Sequence, residues 1–529
     1  MMRKDYVIQF GRYFAQSTRG IRLYALLLIL LQISYPGLQI QAQQDSTGNT
    51  HFFLEVNAGY INDQGVPLWM RANQYGSIPL EGASSSVIGR VFKNYANPKP
   101  GQRPRSFDWG YALEGRANLG KKINGDLIEA HVKLKYHAAE FRLGRSKEVM
   151  GLNGDSLLTS GNFAVSGNTL GVPKAEISIP DYYRLPWFGG IFAFKGNFAI
   201  GYMGKSEMNP SAFLVPTKDY ELETYLLQKS FYLSFGKPSW KLNFIGGFNH
   251  QAQFGGEKKR YGEAFDLNLF QTLSYVSLGK AFGGKGSPVP RSKMGNHQGS
   301  IDLGFSYDFG NINLLVYRQN FYDVGALSKF ANIKDGLNGI TLTNKAFHRK
   351  LGRAFDWQSF LVEFFYSKDQ AGYPWSKPTQ SGDEDYYNNS EYLEGWSYKG
   401  LGMGSPLIAT AQSVRSGQAH YPKDFFISNR VVAGHLGSKF SLYQWYIISK
   451  LTFARHYGTF ATSEFGKSTG SHFHTPYKDS FTPVNQFSFL LRAEREFLHK
   501  TRIGATFATD QGKLYYSGSG LMLHVNRYF

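Results

Sequence analysis

The segment IDLGFSYDF, residues 301–309, places Ile301, Leu303, Phe305, Tyr307 and Phe309 in one phase and Asp302, Gly304, Ser306 and Asp308 in the other. A strand turns successive side chains to opposite faces, so the alternation predicts one apolar face and one wet face. The pattern recurs along most of the chain. Phe52, Leu54, Val56, Ala58 and Tyr60 alternate with Phe53, Glu55, Asn57 and Gly59, and Ile128, Ala130, Val132, Leu134 and Tyr136 alternate with Glu129, His131, Lys133 and Lys135. Phe192, Phe194, Gly196, Phe198 and Ile200 stand opposite Lys195 and Asn197. Strands of soluble sandwiches run about 5–6 residues. These runs reach roughly nine to twelve, the length a tilted strand needs to cross a bilayer. The 34 Tyr, 43 Phe and 8 Trp supply the aromatic girdles such a wall carries at its two interfaces. The predicted fold class is all-β, a large antiparallel transmembrane β-barrel with long external loops.

Compartment follows from the first residues. Arg3, Lys4, Arg12, Arg19 and Arg22 precede the apolar run LYALLLILLQI, which is followed by polar QIQAQQDSTGNT. That order predicts a signal peptide over residues 1–42 and a single outer-membrane barrel domain over 43–529. The apolar run is too short for a membrane-spanning helix, which needs roughly 20 residues. The chain has no cysteine, so disulfides contribute nothing and backbone pairing and packing must hold it together. Without residues 1–42 there remain 53 basic and 38 acidic side chains, a net charge of +15, which favours polyanionic partners. For an exported protein these are acidic polysaccharide and lipid phosphate rather than nucleic acid.

The final stretch GLMLHVNRYF alternates again, with Leu521, Leu523, Val525 and Phe529 in one phase. A last strand ending on Phe is similar to the terminal signature that the barrel assembly machinery of the outer membrane reads. Stepping backwards from a periplasmic Phe529 puts the short segments LHKTR, GSKFS, DFGN and GKPSW on the periplasmic side. The long segments 461–486, 367–424 and 254–299 then fall outside, as expected where periplasmic turns are short and external loops long.

Catalytic and metal chemistry find no motif. In WKLNFIGGFNHQAQFGGE, residues 240–257, Gln251 and Gln253 fall in the wet phase, while His250 and His297 fall in the apolar phase and are expected at a membrane boundary or beyond a bulge. His472 and His474 share a strand face without an evident third ligand, and no HExxH-type spacing occurs. His131, Glu129 and His524 are scattered candidates for acid–base work that nothing joins. The reading is a non-enzyme without cofactor or metal.

Several phrases together resemble the Wzi family of outer-membrane capsule assembly proteins, in its longer-chain branch. They are GVPLWMRANQYG (65–76), GLNGDSLLTSGNFAVSGN (151–168), IPDYYRLP (179–186), QKSFY (228–232), GGFNHQAQFGG (246–256), GNHQGS (295–300), DGLNGI (335–340), YLEGWSYKGLGMGSPLI (392–408) and SNRVVAGHLG (428–437). The resemblance implies a barrel of about 18 strands in the outer membrane of a Gram-negative cell that helps attach or organise surface polysaccharide.

Two functions fit. A glycan-binding barrel needs aromatic faces for sugar rings, amides for hydroxyls and cations for uronates. The 367–424 loop offers Tyr373, Trp375, Tyr386, Tyr387, Trp396 and Tyr398 with Asn388 and Asn389, and the 254–299 loop offers Lys258, Lys259, Arg260, Arg291 and Lys293. Partners would be surface polysaccharide, anionic in this reading, and outer-membrane lipid. The alternative is a porin-like diffusion or uptake channel, whose lumen would be lined by Glu114, Arg116, Glu129, Lys133, Lys195, Lys241, Asp302 and Asp308. An outer-membrane hydrolase or acyl transferase is a third, weaker reading.

Overall fold

The computed structural model describes residues 48–62, 65–78, 82–96, 105–283, 292–323, 325–348, 354–372, 383–469, 472–473 and 477–529. Eighteen antiparallel strands close on themselves. They are β1 (Thr50–Ile61), β2 (Gly82–Lys93), β3 (Phe107–Leu119), β4 (Asn124–Tyr136), β5 (Ala139–Arg145) and β6 (Lys174–Arg184). Next come β7 (Phe192–Glu207), β8 (Glu221–Phe235), β9 (Leu242–Phe254), β10 (Asn296–Asp308), β11 (Ile312–Tyr322) and β12 (Gly336–Asn344). The last six are β13 (Phe355–Tyr366), β14 (Val431–Leu442), β15 (Trp445–His456), β16 (Val484–Leu498), β17 (Thr501–Gly512) and β18 (Gly518–Tyr528). Each pairs with its sequence neighbour, and β1 pairs with β18, from Phe53↔Tyr528 to Ile61↔Gly520, which leaves no sheet edge.

The alternation reads out as predicted. Phe52, Tyr60, Ile301 and Leu303 are exposed on the outer wall, while Asn57, Gln251, Gln253 and Asp302 are buried inside. Replacing Phe305 by Arg is expected to cost about 2–4 kcal/mol near the bilayer midplane and to impair assembly. Ser306→Arg, one residue on and facing the lumen, should assemble; the fraction of heat-modifiable barrel in outer-membrane preparations checks both. The aromatic girdle is visible beside the periplasmic turns, where Tyr136, Trp187, Trp240, Phe309, Phe355 and Tyr443 are all exposed.

Two expectations need correction. GSKFS is not a turn: residues 437–441 lie inside β14, and the reversal occurs at Tyr443 and Gln444, where Tyr443 takes a positive φ of 53°. A strand must cross the whole bilayer, and β14 gains the needed length by running through this polar stretch. Ile128 does not share the outer phase of Val132 and Leu134. Glu114 pairs with Glu129 but Gly115 pairs with Leu127, so a bulge at Ile128 shifts the phase; Leu127 is 47% exposed and Ile128 is 3%.

Connection parity holds around the barrel. The turns at 137–138, 236–241, 309–311, 443–444 and 499–500 share the end that carries Phe529, and the strand ends that flank the β1–β2, β5–β6, β9–β10, β13–β14 and β15–β16 connections lie at the other. Part of these external segments folds into the lumen.

Candidate functional site

The external segment 146–173 enters the barrel and is held by the wet face of the wall. Asp302 accepts from Leu152 N at 2.8 Å and from Tyr232 Oη at 2.7 Å. Gln319 Nε2 donates to the Leu152 carbonyl and to Asn162 Oδ1, both at 2.8 Å. Glu363 accepts from Thr159 Oγ1 at 2.7 Å and Ser160 N at 2.6 Å, and Lys439 pairs with Asp155. These wall groups are the wet-phase residues of amphipathic strands. The lumen-facing polarity that reads as a channel lining is used to satisfy a backbone that would otherwise be buried without partners.

A second insertion, residues 65–78, packs beside the first. Trp69 Nε1 donates to Thr452 Oγ1 at 3.0 Å, Thr452 donates to His435 Nδ1 at 2.7 Å, and His435 Nε2 donates to the Leu158 carbonyl at 2.6 Å. One chain of hydrogen bonds thus joins both insertions to β14 and β15. Lys450 ties them again, donating to Asn73 Oδ1 at 3.1 Å and the Thr159 carbonyl at 3.3 Å. Leu68 N, at the start of a single helical turn (Leu68–Arg71), donates to Asp510 Oδ2 at 2.8 Å.

Residues 383–430 form a cap over the insertions. Its aromatic residues are its core. Tyr386, Tyr387, Trp396 and Phe426 pack with Phe163, Phe321 and Phe365, and Trp396 is 0% exposed. Trp396 Nε1 donates to the Ala164 carbonyl at 3.2 Å, and the Tyr387 hydroxyl donates to the Phe163 carbonyl. Glu384 accepts from the backbone N–H groups of Asp323, Gly325 and Ala326 at 2.8, 3.0 and 2.8 Å. Asp335 accepts from Tyr386 Oη at 2.7 Å and from the N–H groups of Gln370 and Asp369; burial pushes its carboxyl up to about 7 against those bonds. Burial and then the Asp385 charge push Asp424 to about 7. Lys467, which bonds Asp385, is held above the ordinary lysine range by Asp385 and Asp424 despite burial.

The expected glycan residues therefore separate. Tyr386, Tyr387, Trp396 and Tyr398 are buried and offer no ring face to a sugar; a loop this long needs its own core, and its aromatic residues supply it. Tyr373 and Trp375 lie outside the described residues, as do Arg291 and His474. Lys258 pairs with Glu263 and Asp266, and Lys259 pairs with Asp219, all at the exposed surface. Arg260 is 1% exposed and its Nη2 lies 2.6 Å from Glu391 Oε2, a structural ion pair.

The histidines of the GGFNHQAQFGG and GNHQGS phrases face outward, as their phase predicts, yet they are buried. His250 Nε2 lies 2.9 Å from His297 Nδ1, and His297 Nε2 donates to the Met294 carbonyl at 2.7 Å. The external segment that follows β9 folds back over them. Leu227, Ala252 and Phe254 of the outer wall pack with Val276 of the helix Leu269–Leu278, and with Met294. The pattern could not show this, because an outward phase states which way a side chain points and not what covers it. Glu129 is engaged by Arg90 at 2.9 Å, and His524 lies 3.7 Å from Glu494 Oε2, so the scattered acid–base candidates are not assembled into one site.

Below the insertion the lumen keeps a polar cavity of about 230 Å³, lined by Arg142, Lys147, Lys174, Glu176, Lys195 and Tyr232 among others. Arg142, Lys147 and Lys174 pair with Glu140, Glu114 and Glu148 at 2.6, 2.6 and 2.5 Å. Lys195 instead lies 5.0 Å from the Tyr182 ring.

Residues 48–425 match the family model described as capsule assembly protein Wzi. Wzi of Escherichia coli, described as an outer membrane protein involved in group 1 capsule assembly and a carbohydrate binding β-barrel, aligns at 10% identity with a TM-score of 0.51, covering 90% of this chain and 83% of that one. OccK5 (OpdH) of Pseudomonas aeruginosa aligns at 9% identity and a TM-score of 0.42, covering 92% and 99%. OccAB4 of Acinetobacter baumannii aligns at 8% identity and 0.43, again covering 92% and 99%. No curated protein sequence matches significantly. With a family match over most of the chain and a closed eighteen-strand wall, the protein belongs to the Wzi family of capsule assembly proteins and is a β-barrel of the Gram-negative outer membrane.

Proposed function

We propose that this barrel holds anionic surface polysaccharide at the cell exterior, and that it does so as a closed, non-catalytic body rather than a conduit. The observation that carries the reading is the filled lumen. Segments 65–78 and 146–173 occupy the space a channel would need, clamped by Asp302, Gln319, Glu363, His435 and Lys450. Glycan contact is then left to the outer face of the external loops. The carbohydrate binding described for E. coli Wzi is in keeping with it. Tyr373 and Trp375 are the residues proposed to stack on sugar rings, with Lys258 and Lys259 supplying positive charge at the exposed surface. Residues 1–42 are proposed to direct export, and the barrel assembly machinery to insert the remainder.

The test compares cell-bound with shed polysaccharide. Tyr373→Ala with Trp375→Ala should leave a heat-modifiable barrel and release polymer, since each lost ring face is worth about 1–3 kcal/mol by analogy with base stacking on aromatic side chains. Many weak contacts along a polymer amplify such a loss. Lys258→Gln with Lys259→Gln should make retention less sensitive to salt if the polymer is anionic. Unchanged retention in both variants would remove the loop assignment.

A further inference from the structure

The outer wall over β13, β14 and β15 changes character row by row. Val362 pairs with Leu436 and Leu436 with Leu451; Phe364 pairs with Gly434 and Gly434 with Phe453; Tyr366 pairs with Val432 and Val432 with Arg455. One step further out, Tyr457 N donates to the Arg430 carbonyl at 2.9 Å and Arg430 Nε donates to the Lys368 carbonyl at 3.2 Å. Towards the external loops the wall thus passes from aliphatic, to phenyl, to cationic. Val362, Leu436, Phe364 and Phe453 are each about half exposed, so they face lipid.

The three cations are held by rings. Lys368 Nζ lies 4.2 Å from the Tyr457 centroid, the Arg455 guanidinium 5.5 Å from the same ring, and that of Arg430 4.0 Å from Phe460. Among the described residues no carboxylate lies within ion-pair distance of any of them. Of the nearby acids, Asp335 is turned to Tyr386 and Gln370 and Asp369 to Lys334 at 3.7 Å, while Glu464 and Asp383 act on Lys368 and Arg430 only at longer range. Burial, then the like charges of Arg430 and Arg455, pushes the Lys368 ammonium below the usual lysine value. A bound anion would relieve that crowding.

Directly beneath the cations the wall has a notch. Gly434 is exposed, and a Cβ built on it would meet nothing within 4 Å. Phe364 and Phe453 flank it. Alongside, a concave furrow of about 840 Å³ runs across the outer wall and ends on Val362 and Phe364.

We propose that this face binds a phosphorylated glycolipid of the outer leaflet, with an acyl chain in the notch and furrow and a headgroup phosphate against Lys368 and Arg455, while the buried Arg430 adds positive charge behind them. Guanidinium groups match phosphate oxygens in a bidentate fork, and the ammonium adds a point charge. The order of the rows selects a membrane lipid over a soluble anion, because a free polysaccharide has no use for an apolar slot below its charge. The inference does not rest on the proposed glycan contacts at Tyr373, Trp375, Lys258 and Lys259, none of which it uses.

The probe is lipid A carrying both phosphates, compared with its dephosphorylated form, measured by titration of the purified full barrel in detergent micelles with native mass spectrometry. Lys368→Gln with Arg455→Gln should weaken binding of the phosphorylated lipid by about tenfold and leave the dephosphorylated lipid unchanged. Arg430 is left in place because it packs on Phe460 and bonds the backbone. Gly434→Phe fills the notch without touching a charge, and should weaken both lipids by about the same factor, on the order of fivefold. Lys218→Gln, exposed on the separate external connection 208–220, is the control for net charge and should change neither. Equal wild-type affinity for both lipids, or full binding by the Lys368/Arg455 variant, overturns the proposal. So does loss in that variant of soluble anionic polysaccharide with lipid binding intact, which would give the cations to the glycan.

Discussion

Trp396→Ala is expected to release the cap while leaving the barrel wall closed. The indole is 0% exposed within the aromatic core formed by Tyr386, Tyr387 and Phe163. Truncating a buried Trp costs about 3–5 kcal/mol through lost burial and the cavity left behind. The indole N–H also joins the cap to the inserted segment at the Ala164 carbonyl, 3.2 Å away, and its removal leaves that acceptor buried without its partner. The Trp396 backbone bonds Tyr387 and Met403, so the strain of a collapsed site reaches both halves of the cap. The wall has its own unbroken ladder and does not depend on this core. Limited proteolysis of the purified barrel should therefore cut the variant within 383–430 and spare the wild type, while both remain heat-modifiable. Trp396→Phe keeps most of the packing and should be cut more slowly than the Ala variant. Equal protease resistance in all three would mean that the cap is held by its polar ties alone. Any polysaccharide shed by Trp396→Ala then reports a disordered cap, whereas shedding by the Tyr373/Trp375 variant, with the cap protected, reports lost contact.

The wall was legible in the sequence for a physical reason. Each strand meets lipid on one side and polar groups on the other, and that contrast is written residue by residue, as in Ile301, Leu303 and Phe305 against Asp302, Gly304 and Ser306. Where a bulge resets the phase, as at Ile128, the pattern misleads by one position. The loops were less legible. A dense set of aromatic residues is required both by a sugar-binding surface and by a loop that must fold without a second layer, and the composition of 367–424 is the same in the two cases. Tyr386 and Trp396 took the second role. A signal was nevertheless present. The phrases that carry the family resemblance contribute groups to the insertions, the wall beside them and the cap: Trp69 and Asn73, Asp155 to Asn162, Gln228, Asp335, Trp396 and His435 all meet there.

Glu363→Ala is expected to unseat the inserted segment and turn a silent barrel into a flickering one. Glu363 projects inward from β13, is 2% exposed, and accepts from Thr159 Oγ1 at 2.7 Å, from Ser160 N at 2.6 Å and from the Tyr317 hydroxyl. Hydrogen bonds to a charged group contribute about 1.5–3 kcal/mol each. The carboxylate also acts electrostatically on Lys450, whose ammonium bonds both insertions and would be left buried with less compensation. Removing one member of such a buried charged set costs about 3–5 kcal/mol. The loss falls on the docking of 146–173 rather than on the wall, because the backbone ladder between β13 and its neighbours does not involve the side chain. Planar-bilayer recordings should show no stable conductance for the wild type and intermittent openings for Glu363→Ala. Glu363→Gln retains an acceptor for Ser160 and Thr159 and should open less often than the Ala variant. Stable, well-resolved steps from the wild type would contradict the closed-barrel reading and restore the channel. A silent Glu363→Ala variant, with the inserted segment still protected from hydrogen exchange at Thr159 and Ser160, would show that Asp302, Gln319 and His435 hold the insertion without it.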